Sequence, residues 1–576
     1  MNRFLSLLLL GVMLLLAAWP LLRPYQVAGH SAYVDLSRAE AFHQSVSNGD
    51  FTPRWVPDFY NRLGSPIFNF YAPLTYYVIE SFRLCGFDGM WSLKLAYLLF
   101  WAAAVLGMFL LAGELIDWDG AAAAAAAYGV APYLLVDIYV RVGIAEFACF
   151  AWLPWILWGI WRTVQDVGRF GPVVASLAYA GLVLTHNITA MIATPLIVGF
   201  VIVAAPDWRW AGRGFITIGL GMAASAFFWL PALAEMKYVQ AVESLTGGFF
   251  HYENHFLTMP QLFINKWDYG SSRPGTNDGM GFMFGSVLWL GVLAVPALIA
   301  LRRTREGLER FHLPLYFAGA AFLCLLMTQA FMSWLWWLLP LISFTQFPWR
   351  FLLPATFFGA LPVAVFPALV HERYRPWSAW AMVALITILS IPFFAPRYVF
   401  HDVKRNGFVF VPAESADVAA ALPNLVRPDK FLTIPTIRKL GVTSTAGHDY
   451  LPVGCTKLPT GEPEHAAEAG DEQVEIIASH WGYPYVLAEV QASVQGSVVI
   501  NHFFFPGWEA KIDGVFVPIS VEPGTGRMTV TVTPGRHVVE LQFTDTLVRI
   551  IGKLISALAM LLIAAWGLLI FRFETL

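Results

Sequence analysis

Cysteine is scarce in this chain. The 576 residues hold four, Cys85, Cys149, Cys324 and Cys455, far apart and in no C-x-x-C or Cys/His spacing. That argues against a disulfide framework and against a zinc site built on thiolates. Charge is scarce too, at 13% of residues with a net of −3. Nothing here supplies the basic footprint that a nucleic-acid partner requires. No repeat of 20–50 residues is visible, so the chain shows neither a solenoid nor the duplicated halves common in transporters.

Apolar residues dominate instead, at 57%, and the mean hydropathy is +0.60. A soluble domain of this size is not so apolar, and the chain reads as a polytopic α-helical membrane protein. Twenty-three Trp and twenty Tyr suit aromatic belts at the bilayer surface. Twelve apolar runs are each about long enough to cross ~30 Å of hydrocarbon, some only with flanking residues. They lie at 4–22, 90–113, 119–136, 145–162, 171–185, 189–205, 213–233, 282–301, 311–331, 350–370, 378–395 and 550–571. The first, with Arg3 before it and no small-x-small site directly after it, is expected to stay as an uncleaved helix.

Arginine sets the phase. Arg162/Arg169, Arg209/Arg213, Arg302/Arg303/Arg305/Arg310 and Arg373/Arg375 mark four cytoplasmic turns. Counting back, residues 68–84 cannot be a complete span and are expected as an interfacial helix on the outer surface. Both termini then fall inside. The 114–118 turn is the weak point, because it should be cytoplasmic yet carries no Lys or Arg. Three domains follow: a membrane domain over 1–395 with an outer loop at 23–89, an extracytoplasmic β-rich domain over 396–549, and a last helix with a short tail over 550–576. Within 483–545, six short alternating strands separated by PGW, DG, PGTG and PG turns predict an antiparallel β-sandwich.

The charges that remain are concentrated on the side opposite those arginines. The loop YVDLSRAEAFHQSVSNGDFTPRWVPDFYNRLGSPIFNFYAP at 33–73 carries Asp35, Arg38 and Arg54; Lys94, Asp137, Arg141, Glu146, His186 with Asn187, and Arg350 stand at helix ends on the same side. A charge inside a span costs at least ~2.5–3.5 kcal/mol, so such residues tend to face one another or a polar cavity. Lys94, Arg141 and Arg350 suit a phosphate or pyrophosphate. Asp35 suits a general base for an acceptor hydroxyl. Glu146 and Asp137 offer oxygen ligands for a divalent cation, Mg or Mn. Each also has a bland alternative. Arg141 and Glu146 can simply pair; His186 can cap a helix; Arg350 can anchor an interfacial turn. Lys94 can snorkel, and Asp35 can be the N-cap of a helix over Leu36–Ser47. The HYENH segment holding His251, Glu253 and His255 lacks HExxH order and is not expected to bind metal.

The loop, together with GDFTPRW at 49–55, FNFYAPLTYY at 68–77, YVRVGIAEF at 139–147, LTHN at 184–187, QFPWRF at 346–351, DYLP at 449–452 and FFFPGWEAKIDG at 503–514, resembles the GT-C glycosyltransferases. It is similar in particular to bacterial membrane proteins called "6-pyruvoyl-tetrahydropterin synthase related", relatives of YfhO-type proteins. The resemblance covers nearly the whole chain, densely over 33–190. It implies a GT-C-like membrane domain in a bacterial inner membrane, with the site facing the periplasm. It further implies transfer of a sugar from a polyprenyl-phosphate donor to a lipid or glycan acceptor, with Asp35 as the loop acid. Many GT-C enzymes carry two adjacent acids there, whereas Leu36 follows Asp35 here and Glu40 is the next acid. Under this expectation Arg38, Arg54, Lys94, Arg141, Glu146, His186 and Arg350 bind substrate. The competing expectations are a flippase for a lipid-linked sugar and a non-catalytic scaffold in envelope assembly.

Overall fold

A computed structural model describes residues 3–168, 170–264, 266–275, 277–302, 305–402, 407–412, 425–426, 450–459 and 461–572. Arg169, Arg303 and Asp449, and much of the irregular stretch between 396 and 482, lie outside the described residues.

Every apolar run falls on a helix. Eight helices are long and apolar enough to cross a membrane: Arg3–Leu22 (α1), Gly89–Leu115, Trp118–Arg141, Ile144–Val164, Asn187–Ala204, Pro348–Ala368, Glu372–Phe393 and Leu547–Leu568. A ninth crossing is formed if Trp208–Ala224 and Ala226–Tyr238 count as one span, bent by 66°. Gly171–Thr185, Ser286–Ala300 and Phe311–Met327 are shorter apolar helices. The chain is a polytopic membrane protein. Residues 68–84 do not make a span: the chain breaks at Pro73, and the helix Leu74–Leu84 has 11 residues, only about 16 Å. The helix Trp118–Gly129 carries seven consecutive alanines, all buried. Small residues let helices approach closely where no hydrophobic effect drives them together.

The helix ends sort into two groups, as the arginine pattern predicts. At one end Arg162 donates to Glu114 at 2.7 Å, and the Arg3 guanidinium lies 3.8 Å over Trp118. Neighbouring helices therefore supply the positive charge that the 114–118 turn lacks. At the other end lie the loop after α1, the turn at 137–143, the break at His186 and the turn at 346–351. The β-rich part sits at that same end, where the Tyr398 hydroxyl donates to the Pro20 carbonyl at 2.8 Å.

That part begins earlier than 396. Strand β1 (Gln26–Ala28), directly after α1, pairs antiparallel with β2 (Arg397–Asp402), Gln26 opposite Val399. Strands β3 (Gly407–Pro412) and β4 (Leu425–Val426) both flank β2. Three residues are too few to show a period of two, so the sequence conceals β1. The remaining strands are β5 (Ala467–Ala469), β6 (Val474–Trp481), β7 (Tyr485–Ala492), β8 (Gly496–Phe503), β9 (Trp508–Ile512), β10 (Val515–Val517), β11 (Ser520–Val521), β12 (Arg527–Val532) and β13 (Gly535–Phe543). They form two sheets in the orders β10-β9-β13-β7-β6 and β11-β12-β8-β5. Val486, Ala488 and Val490 of one sheet share a core with Val498, Ile500, Met528 and Val530 of the other. This is the sandwich expected over 483–545, extended at its start by β5 and β6. It docks on the outer loop, where the Phe503 amide donates to the Leu63 carbonyl at 2.7 Å and Trp55 packs edge-on to Trp508 at 5.5 Å.

Candidate active site at one end of the helices

The span that starts at Trp118 does not end cleanly. It closes with a π-helical turn, Asp137–Arg141, and Val142 follows with φ 54°. A β-branched residue in that region is an outlier, and π-turns are frequent at functional sites. The turn sets Asp137 and Arg141 side by side, with Arg141 Nη1 2.5 Å from Asp137 Oδ1. The next helix starts at Ile144 and brings Glu146 back in its first turn, 2.9 Å from Arg141 Nη2. Tyr133, one turn before Asp137, donates its hydroxyl to Glu146 Oε1 at 2.7 Å. Arg350 arrives from the Pro348–Phe351 turn, its Nε 3.3 Å from Glu146 Oε2. The Arg141 guanidinium rests 4.6 Å above Trp349. Two carboxylates and two guanidiniums thus cancel in charge. His186 lies within electrostatic reach of Glu146, Arg141 and Arg350.

Asp35 joins this cluster from the outer loop. It is not an N-cap: helix α2 (Ala32–Ser47) follows Ser31, and Asp35 is its fourth residue, 1% exposed. The Asp35 carboxylate accepts from the Tyr76 hydroxyl at 3.2 Å and from the backbone N–H of Ile144, two residues before Glu146. Arg38, one turn on, lies 3.4 Å away and stacks 4.0 Å over Tyr71. The start of α2 is pinned to the π-turn, since the His30 and Ser31 amides donate to the carbonyls of Val140 and Arg141 at 3.3 and 3.0 Å. Burial raises the Asp35 carboxyl to about 6, against the pull of Arg38, Tyr76 and Ile144 in the other direction.

Among the described residues, the buried polar atoms around the cluster that have no hydrogen-bond partner include the Tyr97 hydroxyl, Trp349 Nε1 and Asp137 Oδ2. Each costs about 1–3 kcal/mol in that state. Tyr97 is within electrostatic reach of Asp35, Asp137, Tyr71 and Arg141, so it joins the two halves of the site.

Asp35, Arg38, Arg141, Glu146, His186 and Arg350 are therefore gathered, with Asp137. Two expected residues are not. Lys94 gives its ammonium to the Arg23 carbonyl at 2.5 Å, just past the end of α1. Arg54 donates to Asn69 Oδ1 at 2.8 Å and to the Phe227 carbonyl at 2.6 Å. It belongs to a separate network in which Asn69 and Arg549 both reach Glu235. His186 is also a helix cap, its Nδ1 accepting the Thr189 amide at 3.3 Å. A cation held by Asp137 and Glu146 does not fit this arrangement. Both carboxylates already engage Arg141, Arg350 adds a second positive charge, and no group of three or more His, Cys, Asp or Glu converges among the described residues. In HYENH, His255 bonds Ser272 Oγ at 2.9 Å and the Phe249 carbonyl at 2.6 Å. Sequence reasoning missed Tyr71, Tyr76, Tyr97, Tyr133 and Trp349. It assigned tyrosine and tryptophan to interfacial belts, although the spacing of four between Tyr133 and Asp137 places the two on one helix face.

No protein-family model matches the chain, and no curated protein matches it. Solved structures are similar at low identity. The mycobacterial arabinofuranosyltransferase AftD matches at 16% identity over 68% of this chain and 27% of its own, with TM-score 0.42. ArnT from Cupriavidus metallidurans, bound to undecaprenyl phosphate, matches at 15% identity over 77% of this chain and 69% of its own, with TM-score 0.41. An Archaeoglobus fulgidus oligosaccharyltransferase tethered to an acceptor peptide matches at 15% identity over 68% of this chain and 55% of its own, with TM-score 0.40.

Proposed function

We propose that the chain is a GT-C-type membrane glycosyltransferase that moves a sugar from a polyprenyl-phosphate donor to an extracytoplasmic glycan or lipid acceptor. One observation carries the reading: Asp35, a buried carboxylate raised to about 6, lies at the same end of the helices as two part-buried arginines, Arg141 and Arg350, that converge on Glu146. A carboxyl that ionises near neutrality is suited to accept a proton from an acceptor hydroxyl. Arg141 and Arg350 are suited to a phosphate, which guanidinium groups hold through paired N–H donors. In the step, the acceptor oxygen gives its proton to Asp35 and bonds to the anomeric carbon. The bond from that carbon to the phosphate oxygen breaks, and polyprenyl phosphate leaves with the electron pair. Its negative charge develops next to Arg141 and Arg350, with Arg38 alongside. Stabilising charge where it forms is commonly the largest single contribution to rate.

The ion-pair reading competes on energy. Breaking a buried pair costs about 3–5 kcal/mol, yet replacing the whole set with apolar residues is often neutral or stabilising. Stability alone therefore gives little reason for four buried and two part-buried charges with unsatisfied polar atoms around them. The distribution also favours transfer over transport, because the charges sit at one end of the helices and not mid-membrane.

The test is Asp35→Asn in the full-length protein in lipid nanodiscs, supplied with a polyprenyl-phosphate sugar and envelope extract as acceptor. Loss of a general base lowers rates by about 10²–10⁴. A variant that folds and loses transfer by this factor supports the assignment; undiminished transfer removes Asp35 from the chemistry.

A further inference from the structure

A cavity of about 360 Å³ opens between the far end of α2 and the β6–β7 turn of the sandwich. Its walls include Gln44 of α2 and Asn48 just past its end, Asp58 and Arg62 of the outer loop, and Trp481 and Tyr485 of the sandwich. None of these belongs to the charged cluster around Asp35.

The cavity is built with effort. Tyr60, Asn61 and Arg62 run consecutively at φ 54°, 55° and 69°. Left-handed residues other than glycine cost roughly 1–2 kcal/mol each, and such strain gathers at functional sites. Contacts with the sandwich hold the run in place: Tyr60 meets Phe503 edge-on at 5.9 Å, and His502 Nδ1 lies 2.9 Å from the Arg62 carbonyl. The run aims the Arg62 guanidinium 4.0 Å over the Trp481 ring. Tyr483 fixes the opposite wall, its hydroxyl reaching Ser45 of α2 and the Trp55 carbonyl. A Cβ on Gly482 would lie 2.2 Å from the Tyr485 ring, so a larger residue there would displace that ring. Trp481 Nε1 is buried without a hydrogen-bond partner, and Tyr485 is 44% exposed.

We infer that this cavity is an oligosaccharide-binding subsite that holds the acceptor glycan away from the reacting end. A sugar ring presents an apolar C–H face and a rim of hydroxyls. It is matched by an aromatic face, here Tyr485 and Trp481, set among planar polar side chains that donate and accept, here Asp58, Arg62, Gln44 and Asn48. Both signs of charge line the cavity, so it presents no single-sign field suited to an isolated phosphate. The position on α2 states the length of the ligand. Gln44 and Asn48 lie nine and thirteen residues beyond Asp35, about 14 and 20 Å along the helix. A monosaccharide cannot touch both places, whereas a glycan of several units can. The inference rests on the transfer reading for its acceptor role; the binding it states does not.

The test uses the full-length protein in nanodiscs and four neutral trisaccharides as probes: maltotriose, cellotriose, mannotriose and tri-N-acetylchitotriose. Saturation-transfer NMR is expected to show binding of at least one. Trp481→Ala and, as a gentler change at an exposed ring, Tyr485→Ala are each expected to weaken that binding at least tenfold, while Asp35→Asn leaves it intact. The inference is overturned if none of the four binds, or if binding survives undiminished in both aromatic variants. If the trisaccharide binds as expected but Asp35→Asn still transfers sugar, the subsite stands and the assignment of the base fails.

Discussion

The role proposed for Asp35 comes at a cost to the fold, and the sign of that cost can be worked out. Its folded pKa of about 6 lies above the ordinary 3.8. The folded state therefore favours the protonated acid. Its contribution to stability is fully present below 3.8 and is lost as pH rises through about 6. At pH 7 the ionised carboxylate costs about 3 kcal/mol, because each pH unit between the two values is worth about 1.4 kcal/mol. Asp35→Asn is thus expected to melt no lower than the parent at pH 7 while losing transfer; a markedly lower melting temperature would mean that the carboxylate is structural. As the general base, Asp35 must be ionised. In the parent, kcat/KM for transfer is expected to rise tenfold per pH unit below about 6 and to level off above it. A profile flat from pH 5 to 8 would contradict the base role. At this scale the sequence was informative about charged residues and poor about their partners. Asp35, Arg141 and Glu146 stood out because charge is costly in an apolar chain. Tyr76 and Tyr133 did not, because a tyrosine near a helix end looks the same whether it faces lipid headgroups or a carboxylate.

At the scale of elements, the site depends on one close approach. The loop between β1 and α2 crosses the 137–142 turn, and a Cβ on Gly29 would stand 2.7 Å from the Val140 carbonyl and 2.3 Å from Val142 Cγ2. A backbone oxygen cannot rotate away, so Gly29→Ala must lift the start of α2 off the turn that carries Arg141. Overpacking of this kind costs about 1–3 kcal/mol. The His30 and Ser31 amide bonds to the turn are expected to loosen, and with them the placement of Asp35 against Ile144. A misplacement of about 1 Å can cost a hundredfold in rate. Gly29→Ala is therefore expected to lower kcat much more than the melting temperature, and backbone hydrogen exchange at residues 30–36 should speed up. Unchanged exchange there would show that α2 is held by other contacts. The sequence disclosed the twelve apolar runs and the failure of 68–84 to span, because composition and arginine phase are one-dimensional signals. It could not disclose β1, the π-turn or the 66° bend at Ser225. Those arise from pairing and packing between residues far apart in the chain.

At the scale of the whole molecule, the β-sandwich and the outer loop meet through a titratable group. His502 of β8 is buried, with its ring between Trp55 at 5.9 Å and Trp508 at 5.5 Å. Its Nδ1–H donates to the Arg62 carbonyl at 2.9 Å, so it links the sandwich to the loop that shapes the proposed glycan subsite. Burial pushes the imidazole down to about 4, and the Arg62 charge pushes the same way, against the carbonyl of Arg62 and the backbone of Asn501. The docked state therefore binds fewer protons than the undocked one. The stability this group lends to docking is fully present above 6.5 and is lost as pH falls from 6.5 to 4, by about 3 kcal/mol in all. Asp35 acts in the opposite sense over an overlapping range, so a melting curve of the parent alone mixes the two. Comparison with His502→Gln, which keeps an N–H donor and does not titrate, separates them. The melting temperature of the parent is expected to fall relative to His502→Gln as pH drops from 6.5 to 4, with protease cleavage appearing first in the 54–65 loop. Parallel curves across that range would show that His502 does not govern how the sandwich docks.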